Sequence, residues 1–325
     1  MPISEPRLAG IVDAINQAHV HGLLEHEKQS LASAILTGYS GNKIVGVLQR
    51  LCRLYSGDET ACYLEIGVFQ GLTLNSVASA VPSLACYGID NFSYFDPEKK
   101  NLSIVHQRIA ALGNSNAELI NADYEDALDN LGSWLGDRKI AVYLVDGPHD
   151  YRSQLMCLEL VVPHLHEQAV IVIDDSNYEH VRQANSDFLR THKEWGLIAQ
   201  AYTSSHPENM APQDRASATS GWWNGVNILV RDPDGLVTRS YPPTQRSRAS
   251  FEADHLVHPH RMAPLVIDSL QLTNEIANKA PLAFVRRLVR MLRKVNSIHQ
   301  RLAKFDSMNT NSNELPSFSV SSIEQ

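Results

Sequence analysis

The spacing of apolar residues along the chain changes character twice. In the first section, residues 1–57, apolar side chains recur at helical spacing in "RLAGIVDAINQAHV" and again in "GNKIVGVLQRLCRLY". Gly41 and Asn42 separate the two predicted helices. Each helix has a single apolar face, which must be buried against a main domain or a second subunit. We therefore predict that residues 1–57 form a helical lid or a region of oligomerisation.

Residues 58–240 alternate between short apolar runs and amphipathic stretches. The five apolar runs are "ACYLEIGV", "LACYGIDNF", "AELINADY", "KIAVYLVDG" and "AVIVIDD", and a helix-like stretch connects each run to the next. Repeated strand–helix units with apolar strands indicate a parallel sheet that is covered on both faces. "WGLIAQAYT" and "GWWNGVNILVRDPDG" predict two further strands, antiparallel to each other. The pattern predicts an α/β fold with a doubly wound, mostly parallel, seven-stranded sheet.

The end of the chain has a different pattern again, and residues 241–305 predict a C-terminal helical extension. Within it, "PLAFVRRLVRMLRKVNSIHQRLAKF" is an amphipathic helix surrounded by arginine and lysine. Its apolar face holds Val285, Leu288, Leu292 and Val295. We expect this helix to pack or to bridge subunits, and contact with an acidic membrane surface is the alternative. Residues 306–325 are rich in serine and asparagine and are expected to be a disordered tail.

Composition excludes several classes of protein. The chain has 325 residues, of which 43% are hydrophobic and 20% charged, as in a globular protein. A net charge of −8 gives no support for a nucleic-acid partner. No stretch reaches the roughly 20 apolar residues of a transmembrane segment, and the N-terminus does not resemble a signal peptide. The four cysteines lack C-x-x-C spacing, which is typical of reduced thiols in a cytoplasmic protein.

Acidic residues follow the two strongest predicted strands, at the point where each strand ends. Asp146 follows the fourth strand, and Asp174 and Asp175 follow the fifth. Because neighbouring strands lie about 4.8 Å apart, these three carboxylates can converge at one edge of the sheet. They would repel each other unless a cation lay between them, and Mg²⁺ prefers such oxygen ligands. The sequence therefore predicts a site for Mg²⁺ or another divalent cation; separate helix caps or solvent-facing acids are the alternative.

The first three strands also end in residues that suit a ligand. The first ends in "LEIGVFQG", which contains Glu65, Gly67 and Gly71. This is not the dinucleotide fingerprint G-x-G-x-x-G, because Phe69 stands where a glycine is required. Asp90 ends the second strand about twenty residues later, where an acid suits ribose hydroxyls or a helix cap. Asp123 ends the third strand, where it could accept a hydrogen bond from the adenine amine or cap the next helix.

The motifs "LEIGVFQG", "YGID", "VDGPHDY" and "VIDDSNY", in this order and spacing, resemble the class I S-adenosylmethionine-dependent methyltransferases. More specifically, they are similar to the metal-dependent O-methyltransferases related to catechol and to macrolide- or aminocoumarin-sugar enzymes. The resemblance covers about residues 60–232. It implies a Rossmann-like fold, S-adenosylmethionine as cofactor and a small-molecule hydroxyl acceptor. The chain departs from the family at Phe69, which lies in a loop that is usually rich in glycine.

The resemblance also implies a role for each residue at the strand ends. Glu65, Gly67 and Gly71 would contact the methionine part of the cofactor, Asp90 the ribose and Asp123 the adenine. The implied metal ligands are Asp146, Asp174 and Asp175, and Asp146 would also border the cofactor. His149 matches the general base of some sugar-modifying members. Its alternative role is to hold the geometry of the site through a hydrogen bond.

Together these features predict a Mg²⁺-dependent O-methyltransferase of natural-product biosynthesis, forming a homo-oligomer. The acceptor is expected to be a sugar, a glycoside or a catechol-like molecule. One alternative is a fold-related tailoring protein of other chemistry, like the hydroxylase relatives of this family. Another is a non-catalytic cofactor-binding protein. Trp222 and Trp223 are predicted to belong either to the core or to a wall of the acceptor pocket.

Overall fold

The structure, a computed structural model, describes residues 5–246, 263–302 and 316–322. The chain divides into two compact units. Unit 1 comprises residues 1–245 and 310–325, and unit 2 comprises residues 246–309. The N-terminal helices therefore belong to the same compact unit as the central sheet.

Unit 1 is built on an eight-stranded sheet with the order β3-β2-β1-β4-β5-β7-β6-β8. The strands are β1 Ala61–Ile66, β2 Ala85–Ile89, β3 Ala117–Ile120, β4 Lys139–Val145, β5 Leu165–Ile173, β6 Trp195–Ala201, β7 Val226–Arg231 and β8 Ser319–Val320. The first five strands pair in parallel, whereas β7 is antiparallel to both β5 and β6. The predicted doubly wound, mostly parallel, Rossmann-like sheet is confirmed.

The eighth strand differs from the prediction, which gave seven strands and a disordered tail. Ser319 and Val320 pair antiparallel with β6, and the Ser321 N–H donates to the Ile198 carbonyl at 2.8 Å. An edge strand such as β6 presents unpaired backbone groups that another segment can satisfy. Phe318 and Val320 also pack against the hydrophobic core. Residues 306–315 and 323–325 of the predicted tail lie outside the described residues.

Helices cover both faces of the sheet. In unit 1 they are α1 Glu5–His21, α2 Gln29–Ile35, α3 Asn42–Arg53, α4 Leu72–Ala80, α5 Asn101–Leu112, α6 Tyr124–Asp129, α7 Gly132–Leu135, α8 Tyr151–Val161, α9 Glu179–Thr191 and α10 Pro212–Ser220. Two short 3₁₀ turns, Val162–His164 and Pro207–Asn209, complete the connections. Unit 2 contributes α11 Ala263–Ala277 and α12 Pro281–Leu302.

The apolar faces of the two predicted N-terminal helices are buried against the sheet. Leu8 and Ile11 of α1, together with Leu48 of α3, join one hydrophobic cluster with Tyr63 and Leu144 of the central strands. On the opposite face, Leu158 of α8 and Phe188 of α9 pack with β-strand residues in a second cluster. Burying a leucine or isoleucine side chain stabilises the fold by about 1.5–3 kcal/mol. The helices of residues 1–57 are thus fixed to the sheet whose edge carries the candidate site.

All four cysteines are buried and unpaired, in agreement with the expectation of reduced thiols. Within the described part of the chain, no helix is both long and apolar enough to cross a membrane.

Within residues 263–302, unit 2 consists of two helices joined by a short connection at residues 278–280. Asp268 on α11 accepts from Lys294 on α12 at 2.7 Å, and Glu275 on α11 accepts from Arg287 on α12, also at 2.7 Å. These ion pairs fix one face of α12 toward α11.

Candidate active site

The site lies where the winding of the sheet reverses. Strands β2 and β3 lie on one side of β1, whereas β4 and β5 lie on the other, so a crevice opens beyond the carboxyl ends of β1 and β4. Gly67 follows β1 with φ +89°, and a Cβ there would lie 1.9 Å from the Asp146 carbonyl oxygen. Only glycine allows the two strand ends to approach this closely. The loop that follows β1, from Gly67 to Gly71, is called the first loop below. Gly67 therefore allows this first loop to contact the backbone of Asp146, a predicted metal ligand.

Three ionisable side chains meet at this crevice. Asp146, His149 and Asp175 each present a ligand atom, and these atoms all lie within 4.8 Å of one another. Nε2 of His149 is 2.7 Å from Oδ2 of Asp175. The ring of Tyr178 stacks on the imidazole, with the ring centres 5.2 Å apart. The structure thus brings together two of the three predicted metal ligands and the predicted base.

The third predicted ligand, Asp174, is buried beside this cluster. Its Oδ1 accepts from the backbone N–H of Asp175 at 2.7 Å. Its Oδ2 is buried and has no partner within hydrogen-bonding geometry among the described residues, although the Ser40 hydroxyl is close enough to lower the pKa of this carboxyl in part. A carboxylate oxygen buried without a partner is costly, so this atom is a candidate for a ligand contact.

The electrostatics of these acids are unfavourable without a counter-charge. Burial raises the pKa of Asp146 well above its usual range, and Asp174 and Asp175 raise it further. Burial and then Asp175 likewise raise the pKa of Asp174. Burial also raises the pKa of Asp175, but His149 and Asn224 outweigh that effect, so its pKa is lowered overall. Without a cation, ionising all three carboxylates at neutral pH therefore costs free energy.

A divalent cation fits this donor set. Asp146 and Asp175 offer carboxylate oxygens at short mutual distance, and Oδ2 of Asp174 lacks a protein partner in the described ranges. Carboxylate oxygens are the ligands that Mg²⁺ takes in proteins, and the ion keeps several waters that a substrate hydroxyl can replace. His149 offers a nitrogen in the same cluster, so it could act either as a ligand or as a base.

The other predicted ligand acids are already engaged by the protein. Oδ2 of Asp90 accepts from the N–H groups of Val68 and Phe69 at 2.9 and 2.8 Å, and its Oδ1 accepts from Phe92 at 2.7 Å. Asp90 therefore fixes the loop that follows Gly67. Asp123 caps α6 by accepting from the Glu125 N–H, the alternative role considered for it. A contact of either acid with the cofactor stays a prediction.

Glu65 lies beneath the first loop rather than on its surface. The side chain is fully buried, and its Oε2 accepts from the Tyr63 hydroxyl at 2.6 Å. Burial raises the pKa of Glu65 to about 8, although hydrogen bonds from Tyr63 and Thr73 oppose the shift. Gly71, the last residue of the predicted loop set, adopts φ +77° directly before α4. A direct contact of Glu65 with the cofactor stays a prediction as well.

Residues that the sequence did not single out support the cluster. Asn224 is buried and donates to Oδ1 of Asp175 at 2.6 Å. Asn177 donates to the side-chain oxygen of Asn224 at 3.0 Å, which fixes the orientation of that amide. Asp175 itself has φ +53°, a conformation that asparagine and aspartate tolerate better than most residues. The only available signal was the asparagine in "WWNG", and asparagine is too common in loops to identify a site.

Aromatic side chains stand beside the first loop. The rings of Tyr39 and Phe69 lie 5.1 Å apart, and those of Tyr39 and Trp223 lie 6.2 Å apart. Trp223 directly precedes Asn224, the partner of Asp175. Trp222 is buried as well, and its Nε1–H donates to His19 at 3.1 Å. Both tryptophans thus belong to the core. Trp223 also lies beside Tyr39 and Phe69, and these three side chains are called the aromatic row.

Comparison with known proteins identifies the domain. Residues 64–176 match a family model described as a methyltransferase domain. No curated protein sequence matches the chain.

Solved structures of O-methyltransferases are distantly similar to this chain. TomG from Streptomyces achromogenes, involved in tomaymycin synthesis, is 17% identical, with 71% of this chain and 100% of that chain covered and a TM-score of 0.45. An O-methyltransferase from Bacillus cereus is 12% identical, with 71% and 92% covered and a TM-score of 0.41. CalS11, a TDP-rhamnose 3′-O-methyltransferase of calicheamicin biosynthesis, is 16% identical, with 53% and 80% covered and a TM-score of 0.35. Likeness at this level says nothing about the acceptor.

The matched segment begins in β1 and ends just beyond β5, so it contains the Gly67 loop and all three candidate metal ligands. This agrees with the methyltransferase resemblance predicted from the four motifs. Residues 64–176 thus match a methyltransferase domain.

Proposed function

We propose that this chain is a Mg²⁺-dependent O-methyltransferase that acts on a hydroxyl group of a small natural-product-like molecule. The observation that carries the proposal is the convergence of Asp146, His149 and Asp175 within 4.8 Å, directly beside the Gly67 loop. A methyl donor and an acceptor oxygen have to meet at one point for in-line transfer. The crevice beyond β1 and β4 offers that point.

The residues divide the work between binding and proton transfer. Asp146, Asp174 and Asp175 would hold the cation, while Gly67, Gly71, Asp90 and Asp123 would border the cofactor. S-adenosylmethionine supplies a methyl group on a good leaving group, and Mg²⁺ lowers the pKa of a hydroxyl that it binds. Buried Asn224 fixes the direction of Asp175 through its 2.6 Å hydrogen bond. The protein's own contribution is therefore alignment, exclusion of water and removal of one proton.

His149 is the proposed acceptor of that proton. Its imidazole is about one-third exposed and is held flat against Tyr178, so it can reach both the cluster and a bound acceptor. Nε2 can take this proton only in the neutral tautomer that carries its hydrogen on Nδ1, in which Nε2 no longer donates to Asp175. A base in this position contributes roughly 10²- to 10⁴-fold to the rate.

The aromatic row supports an acceptor that contains a ring. Tyr39 is 55% exposed, and its ring lies next to the rings of Phe69 and Trp223 beside the first loop. Aromatic faces bind either a phenol ring or the apolar face of a sugar. Catechol-like molecules and glycosides therefore remain the proposed acceptor classes.

A direct assay tests the proposal. Purified protein is incubated with S-adenosylmethionine, Mg²⁺ and a panel of catechols and glycosides, and S-adenosylhomocysteine is measured. We expect turnover that EDTA abolishes and added Mg²⁺ restores. An Asp146→Asn variant should be inactive, whereas Asp129→Asn, which changes an exposed acid on α6, should match the wild type.

Two results would count against the proposal in different ways. Full turnover in excess chelator would remove the metal from the mechanism while leaving methyl transfer in place. Tight binding of S-adenosylmethionine without turnover on any hydroxyl compound would favour the non-catalytic cofactor-binding alternative.

A further inference from the structure

The second helix of unit 2 carries an apolar row that its partner helix does not cover. The row contains Leu282, Val285, Val289 and Leu292, which are 75%, 54%, 44% and 56% exposed. Their spacing of three, four and three residues places them on one side of α12 over about 15 Å. The side of α12 that faces α11 is a different one, marked by the ion pairs of Arg287 and Lys294. The apolar row is therefore available to a further partner.

A row of arginines runs beside the apolar row. Arg286, Arg290 and Arg293 are exposed, and each directly follows a member of the apolar row. One residue corresponds to about 100° of rotation, so the arginines flank the apolar row along its length. A helix with adjacent apolar and cationic rows is typical of a segment that lies in a membrane interface.

The charge of this unit contrasts with that of the rest of the chain. Residues 263–302 contain seven Lys and Arg but only two Asp and Glu, a net charge of +5. The whole chain has a net charge of −8, so the remaining residues carry −13. An acidic surface would repel an acidic catalytic unit, and the basic helix supplies the opposite charge at one defined place.

The combination of rows selects among possible partners. Two antiparallel copies that met through the apolar row about a two-fold axis would place their arginine rows side by side, and like charges across an interface are unfavourable. A nucleic-acid duplex would pair the arginines with phosphates but would leave the aliphatic side chains in water. An anionic bilayer surface offers acidic head groups beside hydrocarbon, which matches both rows. We propose that α12 binds the surface of an anionic phospholipid membrane, with its apolar row inserted between the head groups.

Vesicle binding by the full chain tests this proposal. The protein is co-sedimented with vesicles of phosphatidylcholine alone and of an equimolar mixture of phosphatidylcholine and phosphatidylglycerol. We expect binding to the mixed vesicles that falls as salt is raised, with little binding to phosphatidylcholine. The Arg286→Gln/Arg290→Gln/Arg293→Gln variant should bind on the order of 100-fold more weakly, because each basic residue near an anionic surface contributes about 1 kcal/mol. A Val285→Ser/Val289→Ser variant should also lose binding.

Matched controls separate a specific surface from general charge. Arg53→Gln/Lys99→Gln/Lys100→Gln removes the same number of exposed charges from unit 1 and should bind like the wild type. Equal binding to both vesicle types, or an unaltered arginine variant, would overturn the proposal. So would a duplex DNA that binds when vesicles do not. If the protein does not bind vesicles but forms a dimer, and the Val285→Ser/Val289→Ser variant is monomeric, the apolar row is instead a contact between copies.

Discussion

The acidic residues in the two halves of the same sheet edge have opposite surroundings. At the ends of β2 and β3, Asp90 and Asp123 accept hydrogen bonds from backbone N–H groups of neighbouring loops and helices. At the ends of β4 and β5, the acids crowd one another. There, burial raises the pKa of Asp146 and Asp174, and Asp174 keeps an oxygen that no described residue satisfies.

The difference separates acids that stabilise the loops of the site from acids that repel one another until a cation binds. A carboxylate whose oxygens accept backbone hydrogen bonds is part of the scaffold, and its removal should loosen the fold. A carboxylate held among others opposes folding until a cation neutralises it. Removing an acid should therefore lower the stability of the ligand-free protein at the ends of β2 and β3, but leave it unchanged or raise it at the ends of β4 and β5.

The largest effect is expected at Asp146. Asp146→Asn should lower kcat/KM by at least about 10³-fold, because a cation ligand and an aligning group are lost. In EDTA the same variant should be as stable as the wild type or more stable, since one of the mutually repelling carboxylates has gone. Methyl-transfer kinetics and urea unfolding with chelator measure the two sides.

Asp90→Asn is the matched change in the other half. It should lower the free energy of unfolding by about 1–3 kcal/mol, because the N–H groups of Val68, Phe69 and Phe92 lose a charged acceptor. If Asp146→Asn destabilises the chelated protein as much as Asp90→Asn does, the distinction between the two halves is wrong.

The next largest effect is expected at His149. His149→Ala should lower kcat by roughly 10²- to 10⁴-fold with little change in the affinity for Mg²⁺ or cofactor, if the imidazole removes the proton. His180→Ala, at a nearby position on α9 with an intermediate exposure, is the control. A loss of Mg²⁺ affinity as the main effect would make His149 a cation ligand instead, a role that its place in the cluster also permits.

Much of this fold follows from the sequence because local signals and tertiary structure agree. Apolar runs of five to nine residues became β1, β2, β4 and β5, whose residues are almost all buried. The strand β8 was missed because a two-residue strand in a Ser/Asn-rich tail carries no periodic signal. Its pairing comes from the open edge of β6, which a single segment does not encode.

The site was predictable in position but not in detail. Parallel strands end at one edge, so the convergence of Asp146 with the acids after β5 follows from strand order alone. The separate directions of Asp174 and Asp175 depend on φ +53° at Asp175. Asn224 reaches Asp175 from 49 residues further along the chain, and such a contact between distant loops leaves no local pattern in either one.

Glu65 gives a pH-dependent test of the buried side of the first loop. Its pKa is raised from 4.5 to about 8, mainly by burial. The folded protein therefore binds the proton more strongly than the unfolded chain, and stability falls as pH rises from about 4.5 to about 8. Each unit of the pKa shift corresponds to about 1.4 kcal/mol, so Glu65→Gln should reduce the decline by up to several kcal/mol.

Urea unfolding at several pH values, in EDTA, measures this decline for both proteins. Glu125 is the control of opposite sign, since its hydrogen bonds with Arg152 lower its pKa to about 2. Glu125→Gln should leave the decline between pH 4.5 and 8 in place. A Glu65→Gln variant with the wild-type slope would mean that Glu65 is ionised in the folded protein, with its charge compensated.

The smallest effect expected concerns cofactor binding without metal. Asp90→Ala should weaken the binding of S-adenosylmethionine by about 1.5–3 kcal/mol, because a charge-assisted hydrogen bond to the ribose is lost and the loop after Gly67 is no longer fixed. Calorimetry in EDTA measures the affinity. Asp123→Ala should cost about 1 kcal/mol of stability through the lost cap of α6, with a smaller effect on affinity.

Because Asp90 also anchors the loop, the Asp90→Asn variant separates the two contributions: it keeps one carbonyl acceptor but loses the charge. If Asp90→Asn binds the cofactor as weakly as Asp90→Ala, the charge is what matters. If both variants bind like the wild type, Asp90 belongs to the scaffold alone, and the cofactor is held by the Gly67 side of the crevice.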